Sequence, residues 1–182
     1  MQRIGLTQLD SDYGKIMLIW RKSNLPKIIR IYLPNNIAEN IWKEKYKDAE
    51  FDSHPRIEST SRGITRFLNG DDVKFDLSVI DISTCREFQR SVLQAEYLIP
   101  RGWVSTYGRI AKTLDNPKGG RAVGYALSNN PFPIIIPCHR AILSDRRLGG
   151  FQGGVKMKMD LLKKEGIEFS SSGRVITNRI CY

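Results

Sequence analysis

The chain has 182 residues, 41% of them apolar, and carries 29 lysines and arginines against 19 aspartates and glutamates, a formal charge of +10. That length supports one compact domain or two small lobes and excludes three, and the charge makes a polyanion, nucleic acid above all, the leading partner class. Three widely separated cysteines, Cys85, Cys138 and Cys181, fit neither a disulfide framework nor paired metal-ligand spacing, and no apolar run reaches membrane-spanning length.

The N-terminal MQRIGLTQLDSDYGK holds no apolar stretch with a cleavage signature, so a cytosolic chain is expected, or a nuclear one in a cell with a nucleus. Residues 15–22, KIMLIWRK, and 27–33, KIIRIYL, are rich in branched and aromatic residues and flank SNLP, which predicts a β-hairpin. NIAENIWKEKY (36–46) and GITRFLNG (63–70) predict short helices, the second stopped by Asn69-Gly70, while VKFDLSVIDI (73–82) predicts a further strand. His54, in DSHPR, is expected in a turn and not at a reacting centre.

Beyond residue 82 the pattern becomes helical. Thr84 and Glu87 have capping-box spacing before a helix whose Phe88, Val92 and Leu93 share one face. Helices over about 106–114 and 120–128, joined by DNPKGG, outline a helix-turn-helix with Arg109, Lys112, Lys118 and Arg121 as its basic surface. Arg121 lies near the start of the second helix, the end that such a motif presents to DNA. PFPIIIP then reads as an apolar strand leading into Cys138. GGVKMKMDLLKKEG predicts a last helix ending at Gly166, with Met159 and Leu162 buried and Glu165 in its final turn. The chain therefore reads as α+β, a small α/β lobe over 1–82 and a mainly helical one over 83–182.

Cys138 and His139 stand side by side at the end of the most apolar stretch. A cysteine attacks as thiolate and needs a base, a cation or a helix N-terminus to become one. Adjacent residues of a strand point to opposite sides, so this pair can cooperate only if the backbone turns sharply, for which Pro137 provides. A carboxylate such as Glu165 could orient the imidazole. The competing reading is a small buried cysteine at a strand end.

NPFPIIIPCHRAI, preceded by GRAVGYAL and followed by LGGFQGG and LLKKEG, resembles the O6-alkylguanine-DNA alkyltransferase family, and the likeness runs from about 84 to 168. The resemblance implies a ribonuclease-H-like N-terminal lobe, a winged helix-turn-helix-like C-terminal lobe, and stoichiometric transfer of an alkyl group from O6-alkylguanine in DNA to the protein, with O4-alkylthymine a further candidate. It implies that Cys138 accepts the alkyl group, His139 acts on it through a water, Glu165 backs the histidine and Tyr107 supports the guanine ring as charge leaves with it. Leu127, Pro133, Ala141, Phe151 and Gln152 would shape the substrate pocket, and Asn130 would be the hinge beside the cysteine. Arg121 would enter the duplex in place of the flipped nucleotide, with Arg109, Lys118, Ala122 and Arg140 also on the DNA. The implied partner is double-stranded DNA held through its minor groove, by a monomer, with no membrane and no cofactor. The zinc of some relatives has no ligands here, since His54 is the one histidine or cysteine before residue 84. Where many relatives have tyrosine then serine, this chain has Phe151 and Gln152, which keeps an aromatic wall and drops a hydroxyl.

Three other readings share these features. A lesion-binding relative without chemistry carries tryptophan in place of the cysteine, so Cys138 argues against it. A helix-turn-helix regulator would use the charge and ignore the thiol. A cysteine hydrolase would need an oxyanion site that no motif supplies.

Overall fold

The computed structural model describes residues 3–34 and 36–182, and of residues 36–40 the backbone alone. It is a mixed α+β protein of two compact units: residues up to Thr84 together with Pro131–Ile135, and Cys85–Asn130 together with Ile136–Tyr182.

The first unit is built on four strands, β1 (Ile4–Ser11), β2 (Gly14–Arg21), β3 (Lys27–Tyr32) and β4 (Glu50–Phe51), in the order β3-β2-β1-β4. β2 is buried along five successive residues, Ile16 to Trp20, as befits a central strand covered on both faces. It pairs antiparallel with β3 across the expected hairpin. β1, antiparallel to β2 and parallel to β4, was not legible in the N-terminal sequence. Gly5 makes room there for its cross-strand partner Trp20, whose ring carbons lie within 2.5 Å of where a Cβ would stand.

Helix α1 (Asn36–Lys45) lies where one was expected, and α2 (Pro55–Leu68) begins eight residues before the anticipated segment. The reason is His54, whose Nδ1 accepts the Arg56 backbone N–H as N-cap just before a proline in the first turn. The strand expected over 73–82 does not form. Asp76 accepts from the Ser78 backbone N–H and bends the chain into a 3₁₀ turn, Leu77–Val79, leaving Ile80 as a lone bridge to Ile28.

The second unit contains α3 (Glu87–Tyr97), α4 (Tyr107–Thr113), α5 (Gly120–Ser128) and α6 (Gly154–Lys164), with a two-stranded parallel pair, β5 (Ser105–Thr106) and β6 (Ala141–Ile142), and an antiparallel one, β7 (Glu168–Phe169) and β8 (Val175–Ile176). The expected capping box at α3 is absent: Thr84 donates instead to the Asp81 carbonyl, and Phe88 is 38% exposed while Val92 and Leu93 are buried. Val104, Ile142, Leu148, Leu162, Ile167 and Val175 form a core cluster, against which the half-buried Met159 packs. Among the described residues no helix is long and apolar enough to cross a membrane.

Candidate active site

The isoleucine run is not a strand. Ile134 has φ 75°, a left-handed conformation that costs a β-branched residue about 1–3 kcal/mol, so 133–136 folds as a turn. Pro137, at φ −80° and ψ 57°, is the centre of an inverse γ-turn closed by the Cys138 backbone N–H donating to the Ile136 carbonyl at 2.8 Å. The fully buried Asn130 amide donates to the same carbonyl at 3.1 Å. Residues Cys138–Arg140 then complete one 3₁₀ turn, the sharp bend that adjacent nucleophile and base require.

Cys138 is 5% exposed. Burial, with a smaller push from Glu96, raises its thiol to about 12, against a hydrogen bond from Asn130 and the charge of Lys158. The resting residue is therefore a neutral thiol. His139 is fully buried, and burial lowers its pKa in spite of Glu165, which keeps the imidazole neutral at pH 7. Its Nε2 lies 2.9 Å from Glu165 Oε1. Burial alone would raise the Glu165 carboxyl, but His139 and Arg140 hold it at about 2, so it is an acceptor at neutral pH. Nε2 must then carry the imidazole proton, and Nδ1 the basic lone pair. Two further donors fix the carboxylate: Arg140, through Nε and Nη2 at 2.8–3.2 Å, and the Gly102 backbone N–H at 3.3 Å.

A cavity of about 810 Å³ opens onto Cys138, lined by Tyr107, Gly124, Leu127, Leu143, Gly149 and Phe151 among others. Thr106 caps α4 through the Arg109 backbone N–H and so sets Tyr107 at the first position of the helix. Gly149, at φ 72°, lies so near the Tyr107 hydroxyl that a Cβ there would stand 2.8 Å from it. Burial, then Glu96 and Cys138, push the Tyr107 hydroxyl up to about 12, making it a proton-bearing donor at neutral pH. Gln152 ties the cavity wall to α5, donating to the Asn130 carbonyl at 2.6 Å and the Ser128 carbonyl at 3.2 Å.

The family model for the 6-O-methylguanine DNA methyltransferase DNA-binding domain matches residues 87–167. A methylated-DNA–protein-cysteine methyltransferase of Methanothermobacter thermautotrophicus is 46% identical over 135 residues, 73% of this chain and 76% of that protein. The chain belongs to the methylated-DNA–protein-cysteine methyltransferase family. A relative of the same name from Methanosarcina acetivorans is 35% identical over 86% of this chain and 95% of its own. The crystal structure of Mycobacterium tuberculosis OGT in complex with DNA superposes with a TM-score of 0.71 at 26% identity, covering 88% of this chain and 92% of that one.

Of the residues that the family resemblance singled out, the structure gathers Tyr107, Lys118, Arg121, Leu127, Cys138, Phe151 and Gln152 around one cavity, with Asn130 against the thiol. Arg121 and Ala122 are exposed on α5. Arg109 is exposed too, but its guanidinium reaches the Tyr182 main-chain oxygen. Pro133 belongs with the first unit, and Ala141 is fully buried with its carbonyl taken by Lys158; neither lines the cavity. Arg140 corrects the expectation of a DNA contact: it is 7% exposed, clamped on Glu165 and donating to the Ile99 carbonyl at 2.6 Å, so it serves the histidine-carboxylate pair. Among the described residues no three histidine, cysteine or acidic side chains gather as a metal site.

Two buried charges that act on the thiol were not legible in the sequence as site residues, Lys158 on α6 and Glu96 on α3. A signal was present. Lys158 interrupts the buried stripe Met157, Leu161 and Leu162, and Glu96 follows Val92 and Leu93 at helical spacing.

Proposed function

We infer that this chain repairs DNA by direct reversal, moving an alkyl group from O6-alkylguanine onto Cys138 in a single irreversible turnover. The observation that carries the reading is a cysteine at the base of a cavity, beside a neutral histidine whose far nitrogen is held by a carboxylate. DNA is the partner, in line with the family and its +10 charge.

In this mechanism the alkylated nucleotide leaves the stack, at a cost of a few kcal/mol, and enters the cavity. Arg121, at the start of α5 and on the cavity rim, fills the gap in a duplex approached from the minor groove. Lys118 and Ala122 lie beside the backbone. The Cys138 proton passes through a water to His139 Nδ1, and Glu165 balances the imidazolium. Sulfur attacks the alkyl carbon, a C–S bond forms and the C–O6 bond breaks. The electron pair goes into the guanine ring, which takes a proton from Tyr107; the phenolate is reprotonated from imidazolium or solvent. The product thioether does not hydrolyse, so the protein is consumed. Leu127 and Phe151 provide apolar walls, and Phe151 brings no tyrosine hydroxyl to the alkyl group. A monomer acting in the cytosol, or the nucleus where there is one, with an N-terminal lobe over 1–82 and a reacting lobe over 83–182, completes the reading.

The test is intact-mass spectrometry after incubation with duplex DNA containing O6-methylguanine, for the wild type and Cys138→Ala. One methyl group on the wild type alone, mapped to Cys138, is the expected result. Lesion binding with no added mass would make the chain a sensor and overturn the transfer chemistry.

A further inference from the structure

Glu96 and Lys158 are each fully buried, on different helices, and both act on the thiol of Cys138. Neither has a part in the mechanism above. Lys158 donates to the Ala141 carbonyl at 2.6 Å and the Gly150 carbonyl at 3.3 Å, and its Nζ stands 5.9 Å from the centre of the Tyr107 ring. The backbone thus fixes a lysine over the Tyr107 ring and within the field of the Cys138 thiol.

The carboxyl of Glu96 is differently placed. It lies by the Ala141 backbone N–H, yet neither oxygen has a full hydrogen bond among the described residues. The cations that face it, Lys158 from α6 and Arg140 from the 3₁₀ turn, have donors committed elsewhere, to the Ala141, Gly150 and Ile99 carbonyls and to Glu165. Tyr107 from α4, Cys138, and Cys181 and Tyr182 near the C-terminus also lie within its field. A carboxylate so buried and so poorly bonded is costly, and the neutral acid is the cheaper form.

We propose that Glu96 is a positioning residue of the alkyl transfer: held as the neutral acid, it leaves Lys158 an uncompensated cation facing the Cys138 thiolate as that forms, and its ionisation at alkaline pH cancels that charge. The proposal rests on the transfer chemistry inferred above. Burial takes the carboxyl up to about 8, and burial takes Lys158 down to about 8, so the two titrate as a coupled pair. Below that pH the pair carries one positive charge, which favours the thiolate; above it, loss of one proton from either member leaves the pair neutral. Glu96→Gln removes one of the two routes, whereas Lys158→Met removes the cation itself.

The experiment measures single-turnover transfer to Cys138 by mass, with free O6-benzylguanine, at pH 7 and pH 9. Two routes of equal weight predict that the pH 9 to pH 7 rate ratio in Glu96→Gln exceeds that of the wild type by about twofold. Lys158→Met is slower than wild type at both. The thiolate absorbance of Cys138, taken as the difference from Cys138→Ala in each background, titrates at lower pH in Glu96→Gln, where the carboxylate that opposes the thiolate is gone. Glu96→Leu, apolar and of similar bulk, must raise the rate ratio as well, which covers a glutamine that fails to fold. An unchanged or lowered ratio in the folded variants, with the wild type transferring normally, overturns the role of Glu96 and spares the transfer chemistry. A wild type that never adds the group overturns both.

Discussion

At the scale of single residues the proposed mechanism gives the site two tasks, making a thiolate and bearing the charge that leaves with the guanine. His139 can accept the thiol proton because burial keeps it neutral, and it presents the right nitrogen because Glu165 occupies the other. Glu165→Gln keeps the shape but removes the charge that steadies the imidazolium, and an amide can also turn its NH₂ toward Nε2 and select the wrong tautomer. Single-turnover transfer should fall by about a hundredfold or more, the usual scale for losing one partner of general acid-base catalysis. The same variant changes acid stability. The Glu165 pKa lies below its unfolded value, so its contribution is present above pH 4.5 and is lost as pH falls toward about 2. The lowered His139 pKa acts in the same direction from about pH 6.5 downward. Melting temperature followed from pH 7 to pH 3 should therefore decline in the wild type and less steeply in Glu165→Gln, whose remaining slope belongs to His139 and to the lowered carboxyls of Asp52, Asp76 and Asp145. Equal slopes would remove Glu165 from the account. Sequence spacing could suggest the cysteine, histidine and glutamate, since each is a recognisable residue type in a recognisable frame. Arg140, Glu96 and Lys158 were beyond it, because a charge in an apolar stripe says that it is buried without saying what it meets.

At the scale of elements, local rules worked where one interaction decides. The Thr106 cap, the DNPKGG turn and the Gly166 stop put α4, α5 and α6 within a residue or two of their expected ends. They failed where distant parts of the chain decide. Three successive isoleucines have strand propensity, yet Ile134 sits at φ 75° and the segment turns, so the burial of those side chains outweighs the backbone strain. The strand expected over 73–82 was lost to an aspartate side chain competing for a backbone N–H, and β1 was hidden because its residues alternate only loosely. Close approach is a further property that sequence does not print. Gly149 serves Tyr107 in two ways, through a positive φ and through the absence of a Cβ 2.8 Å from the hydroxyl. Gly149→Ala should destabilise the protein by about 1–2 kcal/mol from backbone strain and contact together. It should also displace Tyr107, so that transfer slows with free O6-benzylguanine as well as with duplex DNA. A loss confined to the duplex would place the effect in DNA binding instead.

At the scale of the whole molecule the question is how +10 of charge and the exposed Arg121 divide the work on DNA. Phosphate contacts release counterions, so affinity for any duplex should fall steeply and linearly with the logarithm of salt concentration. Those contacts hold the protein on the duplex without selecting a nucleotide. Extruding the base is a different task, which the proposed mechanism gives to Arg121, exposed at the start of α5 and lining the cavity. Arg121→Ala removes one charge, which should reduce the salt slope by about one if the side chain meets a phosphate and by less if it lies within the stack. The rates separate these roles more sharply. With free O6-benzylguanine there is nothing to flip, so Arg121→Ala should react nearly as fast as the wild type; with O6-methylguanine in a duplex at saturating protein, transfer should slow severalfold to a hundredfold, the equivalent of the few kcal/mol that extrusion requires. Lys118→Ala, at the edge of the same cavity, should weaken binding and leave the saturated duplex rate intact. If Arg121→Ala lost as much activity on the free base as on the duplex, the arginine would be shaping the cavity, and the charge that opens the duplex would have to come from outside α5, whose one charged residue is Arg121.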